Sequence, residues 1–357
     1  MCPLWLKKEK IMTKTIIGIP RALNLYENFP FWKTLFENCG FEVILSPEST
    51  FKLYQGGIGS VMSDNICFPA KLVHGHILSL VEQRVNRIFY PLVPKDEQEF
   101  CEASNSYNCP IVSGYPDVIR SAIDPEKFGI AYDTPVISFH DEENLKRSCW
   151  KYFENLGVDK KTFEQAFKTA LQEKNENRRQ LIEFQRDMLQ KAIDENLLVF
   201  VVAGRPYHAD PLINQKTGQI LADLGVVVLT DDVFRTQMTQ ITRINADNKK
   251  ICANPLNPCY PCAENDFKNL NIVSQWSYPN RVIHTALQIA KLPQNVQMIQ
   301  LNSFGCGPDS FIMDETAEIL KHAGKNLTII RIDEIASPGS VRLRLRSLVE
   351  SLKTINN

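Results

Sequence analysis

Ten cysteines stand in a chain of 357 residues whose amino terminus, MCPLWLKKEKIMTK, is too short and charge-broken for a secretory signal. In a reducing cytoplasm such thiols are not disulfide staples, which leaves metal ligands, redox groups or buried small hydrophobes. Three of them sit in loops marked by glycine or proline. Cys67 lies in DNICFPAK just ahead of Pro69, Cys109 in NCPIVSG, and Cys306 in SFGCGPDS between Gly305 and Gly307. Flanking glycines free the backbone to approach something bulky. A thiolate near a helix N-terminus gains about 0.3–1 kcal/mol from the unpaired N–H groups and the dipole. Backbone N–H groups in such turns can bond cluster sulfides, tuning potentials that span about −700 to +450 mV. Three cysteines would ligate three irons of a cubane and leave the fourth open to solvent, substrate or another ligand. The alternative is burial as small apolar side chains, and spacing alone does not choose between the two.

Cys252, Cys259 and Cys262 form C-x6-C-x2-C in ICANPLNPCYPCAEN, inside an irregular insert at 246–269. A CxxC pair in a proline-rich loop places two sulfurs to chelate one metal, iron–sulfur or zinc. A self-contained zinc site needs a fourth ligand, so the trio suits a second three-cysteine set, a redox dithiol or a plain loop. Cys101, eight residues before Cys109, is a candidate accessory ligand, whereas Cys2, Cys39 and Cys149 read as incidental.

GRPYHADP follows an apolar run at a strand-to-helix junction. Arg205 and His208 there are candidates to hold an anion, such as a CoA phosphate or a substrate carboxylate. The competing reading is a structural turn in which Arg205 pairs a nearby acid. His74 and His76, two apart on a helix, face different directions and do not share a metal. GGIGS at 56–60 has no strand before it and reads as a turn. The chain has no G-x-x-x-x-G-K-[ST] loop, so any ATP hydrolysis would belong to a separate partner. Arg342, Arg344 and Arg346 alternate on a terminal helix and read as a solvated face or a partner surface.

These residues need a frame. Apolar strands are predicted at 15–20, 42–47, 87–92, 110–114 and 134–139, with helices at 31–39, 69–84 and 116–122 between them. Strands separated by helix-length segments form parallel βαβ units. From 142 to 196 the chain is charged. Over 160–196, Phe163, Phe167, Leu171, Leu181, Phe184, Met188, Leu189 and Ile193 recur at helical spacing. A second unit follows, with strands at 197–203, 226–230, 296–304 and 327–333, and helices at 212–224, 281–292, 314–322 and 341–353.

The expected fold is α/β: two Rossmann-like domains, doubly wound with mainly parallel sheets, joined by a helical segment. Expected bounds are a leader at 1–14 with Met12 as an alternative start, domains at 15–141 and 197–357, and a connector at 142–196. No internal sequence repeat is visible. In such sheets ligands bind beyond the carboxyl ends of strands, which is where Cys67, Cys109 and Cys306 from both halves would converge. A formal charge of −1 offers no field for nucleic acid or anionic membranes, and no apolar run approaches the roughly 20 residues of a membrane span. A soluble cytoplasmic protein is expected.

Five segments carry a resemblance: IGIPRALNLYENFPFW, CFPAKLVHGHI, YNCPIVSGYPDVI, GRPYHADPLIN and QLNSFGCGPDS, in that order. They resemble the activase-related domain of large acyl-CoA dehydratase activases, which is similar to 2-hydroxyacyl-CoA dehydratase subunits and double-cubane cluster proteins. The likeness runs from about Thr15 to Leu352. It implies Rossmann-like domains sharing iron–sulfur ligands, electrons delivered by an ATP-hydrolysing activator, a small-molecule substrate, and a homodimer or a heterodimer with a related subunit. Carried over by motif, the cluster ligands are Cys67, Cys109 and Cys306.

Two departures stand out. Many relatives carry a cysteine where this chain has Leu92, so a ligand is lost or replaced by Cys101. The CxxC insert also falls outside the family pattern. With Cys252, Cys259 and Cys262 the chain would have six thiolates, the number for two bridged cubanes in a double-cubane [8Fe–9S] cluster. The expected function is an iron–sulfur redox protein that takes low-potential electrons through a [4Fe–4S]-type cluster and reduces a small substrate. The alternatives are a dehydratase-type subunit binding a CoA thioester at an open iron, or a non-catalytic zinc- or cluster-stabilised scaffold that docks on an activator.

Overall fold

The computed structural model describes residues 14–100, 103–235, 270, 272–334 and 338–356. Two apolar runs seed two sheets: IIGI in β1 (Ile16–Ile19) and VFVVA in β5 (Val199–Ala203). β1 pairs in parallel with β2 (Glu42–Leu45) and β3 (Arg87–Phe89), and β3 with β4 (Ala131–Asp133), in the order β2-β1-β3-β4. Between these strands run α1 (Leu25–Asn38), α2 (Phe51–Ile58), α3 (Phe68–Glu82) and α4 (Pro110–Ala122). Two helices, α5 (Glu142–Asn155) and the long α6 (Lys160–Asp194), then lead to the second sheet.

There β5, β6 (Val227–Thr230), β7 (Val296–Ser303) and β8 (Thr328–Ile332) are again all parallel, in the order β6-β5-β7-β8. Their helices are α7 (Thr217–Asp223), α8 (Ser277–Ala290), α9 (Gly307–His322) and α10 (Pro338–Asn356). The protein is thus α/β with two Rossmann-like parallel-sheet domains. In each, the chain reverses its winding between the first and third strands, and ligand clefts form at such a switch point.

The halves share one strand order although no sequence repeat announces it. One short echo survives: Phe68-Pro69-Ala70-Lys71-Leu72-Val73-His74 opens α3, and Tyr278-Pro279-Asn280-Arg281-Val282-Ile283-His284 opens α8. Both helices precede the third strand of their sheet.

Two expected strands are not strands. Residues 110–114 open α4, because Pro110 suits a first helical turn and Val112, Tyr115 and Ile119 bury one helical face. Residues 134–139 contribute a single bridge, Leu92 to Val136, beyond the three-residue β4; Pro135 has no N–H to give a ladder. On α6, Phe163, Phe167 and Leu189 are buried, but Leu181 and Phe184 face outward.

The cores interlock. Trp32, Phe36, Phe89 and Phe153 stack under the first sheet, and Tyr54, Phe68 and Leu72 of that half join the core of Phe200, Ile299 and Leu345 in the other. A buried ion network crosses the same boundary. Glu27 on α1 pairs with Arg235 at 2.6 Å, with Arg281 on α8 at 2.9 Å and with Arg178 on α6 at 3.4 Å. Glu97 and Glu99, in the loop leading to Cys109, pair with Lys174 and Arg178, and with Arg235 and Arg281 respectively. That loop is therefore clamped between the halves. Cys101, Cys252, Cys259 and Cys262 lie outside the described residues, as do residues 1–13 of the expected leader. Among the described residues no helix is long and apolar enough to cross a membrane.

Candidate functional site

Three thiols occupy the same local position in three different helices. Cys67 caps α3, Cys109 caps α4 and Cys306 caps α9, each with extended backbone and a proline within the first two helical positions. The unpaired N–H groups of a helix start point toward such a residue. At Cys109 this is explicit: its Sγ accepts from the Val112 amide at 3.5 Å. The three are 6%, 7% and 8% exposed and share one apolar cluster with Tyr90, Tyr207 and Tyr278.

The loops bearing Cys67 and Cys306 touch. Gly305 has φ +75°, and a Cβ there would stand 2.9 Å from the Asn65 carbonyl oxygen and 3.6 Å from the Cys67 nitrogen. Only glycine allows that approach at that backbone angle.

Arg205, 4% exposed, leaves the end of β5 and meets the loop leaving β7 across the switch point of the second sheet. Its Nη2 donates to Cys306 Sγ at 3.1 Å and to Asp309 Oδ1 at 2.6 Å, and its Nε donates to the same oxygen at 3.0 Å. Asp309, in the first turn of α9, also accepts from the Ser303 amide at 3.1 Å. Behind it, His208 Nδ1 accepts from the Arg205 amide at 3.1 Å, which leaves Nε2 to donate to Ser303 Oγ at 3.1 Å. Burial pushes His208 down to about 3, so the ring is neutral near pH 7.

Burial raises the Cys67 thiol to about 11 and the Cys306 thiol to about 12, Arg205 opposing the rise at both. Left alone, both stay protonated. A metal centre is what converts such buried thiols to thiolates. Tyr207 lies within electrostatic range of all three sulfurs, and Tyr90 within range of Cys67 and Cys109.

The donor set fits a multi-iron group. Cubane thiolates each hold a different iron and stand apart. They need not close around one ion, and among the described residues no group of three or more His, Cys, Asp or Glu is placed to hold a single metal ion. Three buried sulfurs on separate helix caps, with one guanidinium beside Cys306, are soft donors of the kind an iron–sulfur group takes.

Of the residues singled out from sequence, the structure thus brings Cys67, Cys109, Cys306 and Arg205 together, with His208 behind. Cys149 is fully buried in the first core and Cys39 lies at the end of α1. His74 bonds Ser60 and Tyr115, whereas His76 bonds Ser46 and Ser49, so the two rings face apart. Sequence reasoning missed Asp309, Tyr90 and Tyr207. The first carried a signal, an acid three residues after a helix-capping cysteine; the tyrosines looked like ordinary core.

A family model described as the CoA enzyme activase uncharacterised domain matches residues 16–234. The match includes Cys67, Cys109, Arg205 and His208 and stops before Cys306. No curated protein matches the chain.

Proposed function

The chain belongs to the CoA enzyme activase uncharacterised-domain family, and on that premise we propose that it is a cytoplasmic iron–sulfur redox protein of the dehydratase-activase type. Cys67, Cys109 and Cys306 hold a [4Fe–4S] cluster between the halves. The observation that carries this reading is the convergence of three helix-capping thiols, from both sheets, beside one buried arginine.

When bound, such a cluster supplies one-electron transfer at low potential and one iron without a cysteine ligand. The surrounding residues act on it in distinct ways. Arg205, locked by two bonds to Asp309, offsets thiolate charge at Cys306 and cannot swing away. Neutral His208 ties the β5 and β7 loops together and adds no second positive charge. Gly305 keeps the two cysteine-bearing loops in register. The aromatic and aliphatic walls shared with Tyr207 and Tyr278 limit water, and each local charge then acts more strongly.

Electrons would come from an ATP-hydrolysing activator, the partner that the activase-type resemblance implies. The substrate is a small molecule. Cys252, Cys259 and Cys262 supply a second set of thiolates, which would extend the cluster to the double-cubane form.

Anaerobic reconstitution with iron and sulfide, followed by counting both, tests the reading. About four irons per chain is the expected result for one cubane and about eight for two. Binding of a CoA thioester to the loaded protein would move the assignment to a dehydratase-type subunit. Zinc alone, with no redox activity, would leave a scaffold. A wild-type chain that takes up no iron overturns the proposal.

A further inference from the structure

A buried hydroxyl with no partner costs about 1–3 kcal/mol, so native proteins rarely keep one. Tyr90, the residue after β3, is 0% exposed and its hydroxyl has no hydrogen-bond partner among the described residues. The neighbouring phenols are already engaged: Tyr115 bonds His74 Nε2 at 2.9 Å, and Tyr132 donates to the Pro116 carbonyl at 2.9 Å. Two further groups act on Tyr90, the thiols of Cys67 and Cys109. Both belong to the cluster of buried residues that holds Tyr90 itself.

We propose that the Tyr90 hydroxyl donates a hydrogen bond to the sulfur of the group held by Cys67 and Cys109, and that its partner arrives with that group. The proposal rests on the iron–sulfur reading above and extends it to the chemistry that sets the potential. Each half then contributes one donor to its own caps. The second half uses Arg205 on Cys306; the first uses a neutral phenol. Burial holds the phenol in its protonated, donating form. A hydrogen bond to cluster sulfur draws off negative charge and favours the reduced state.

The loaded and empty proteins should therefore respond to Tyr90→Phe with opposite signs. In the metal-free chain the variant removes only a desolvated oxygen, so its thermal midpoint should equal or exceed that of wild type. In the loaded chain it removes a bond. The gain in midpoint on loading should shrink, and the equilibrium constant for reduction should fall about two- to threefold, because the bond is stronger to the more negative reduced group and only that difference shifts the potential.

The experiment reconstitutes both full-length proteins anaerobically and reads irons per chain, a spectroscopically followed redox titration, and unfolding with and without iron. Equal iron with a lowered potential is the expected result. An unchanged potential with an unchanged gain on loading overturns the Tyr90 assignment. So does a metal-free variant that melts below wild type, since the hydroxyl would then have a partner in the protein. Failure of the wild type to take up iron fails the cluster reading itself, before the variant is consulted.

Discussion

The two halves fold with the same strand order and put it to different uses. In each, the third strand leads through a loop to a helix-capping cysteine: Cys109 on α4 and Cys306 on α9. In each, the helix ahead of that strand opens on an aromatic–proline pair. There they part, for the residue before the pair is Cys67 in the first half and Ser277 in the second. The first half brings two thiols and neutral hydroxyls. Among the described residues the second brings one thiol and a buried ion pair, Arg205 with Asp309. Among the described residues the shared strand order sets two of the three helix-capping thiols on one side and the buried ion pair on the other, and on the proposed reading neither half alone would make the site.

The sharpest way to break this comparison is to remove a thiol from each side in turn. Cys67→Ala and Cys306→Ala should each lose most of the iron that the reconstituted wild type retains. Cys149→Ala, altering a thiol buried in the first core, should keep the wild-type iron count. If Cys306→Ala loads like wild type, Cys306 is not a ligand and the reading of a site shared through it fails.

The next largest effect concerns the basic residue that follows the aromatic–proline pair. Arg281 reaches from α8 to Glu27 at 2.9 Å and to Glu99 at 2.5 Å; Arg281 and Glu99 are buried, and the Glu27 side chain is 10% exposed. Its counterpart Lys71 reaches from α3 to Glu334 at 2.5 Å, whose side chain is 24% exposed. Removing one partner of a buried network strands its charges. Arg281→Ala should therefore cost about 3–5 kcal/mol, and Lys71→Ala about 1 kcal/mol, in chemical denaturation of the metal-free protein. Equal losses would mean that the two crossings carry the interface alike.

Much of the frame was legible because its signals are local. β-Branched runs such as VFVVA and the charged periodicity of α6 declare themselves within a few residues. Cys67 and Cys306 were legible for the same reason, standing in proline- or glycine-marked loops ahead of a helix, whereas Cys109 read as preceding a strand. What stayed hidden was relational. Residues 110–114 read as a strand because their apolar spacing is ambiguous over five residues, and only the packed face of Val112, Tyr115 and Ile119 decides it. The Arg205–Asp309 pair joins positions 104 apart, and the Arg281–Glu27 pair positions 254 apart. No periodicity encodes such distances. Tyr90 was invisible for a different reason: an unpaired hydroxyl is a property of its surroundings, and in sequence it is one more aromatic after a strand.

The last predicted effect appears only in acid and concerns the helix that Cys67 caps. His74 and His76 sit on α3 with neutral hydroxyl partners, Ser60 and Tyr115 for one, Ser46 and Ser49 for the other. Burial pushes each imidazole down to about 4; at His76 the charges of Asp210 and Arg21 add opposing, smaller effects. Above about pH 6.5 the rings are neutral in folded and unfolded chains alike, and the native state keeps its full advantage. As pH falls toward about 4 the unfolded chain takes up protons first, so stability drops by about 1.4 kcal/mol per pH unit for each ring. Below that range both states are protonated and these rings add no further slope. Chemical denaturation of the metal-free protein across this range should show the decline, and His76→Asn should remove the share of one ring. A slope that His76→Asn leaves unchanged would place the acid sensitivity elsewhere, outside the helix that Cys67 caps.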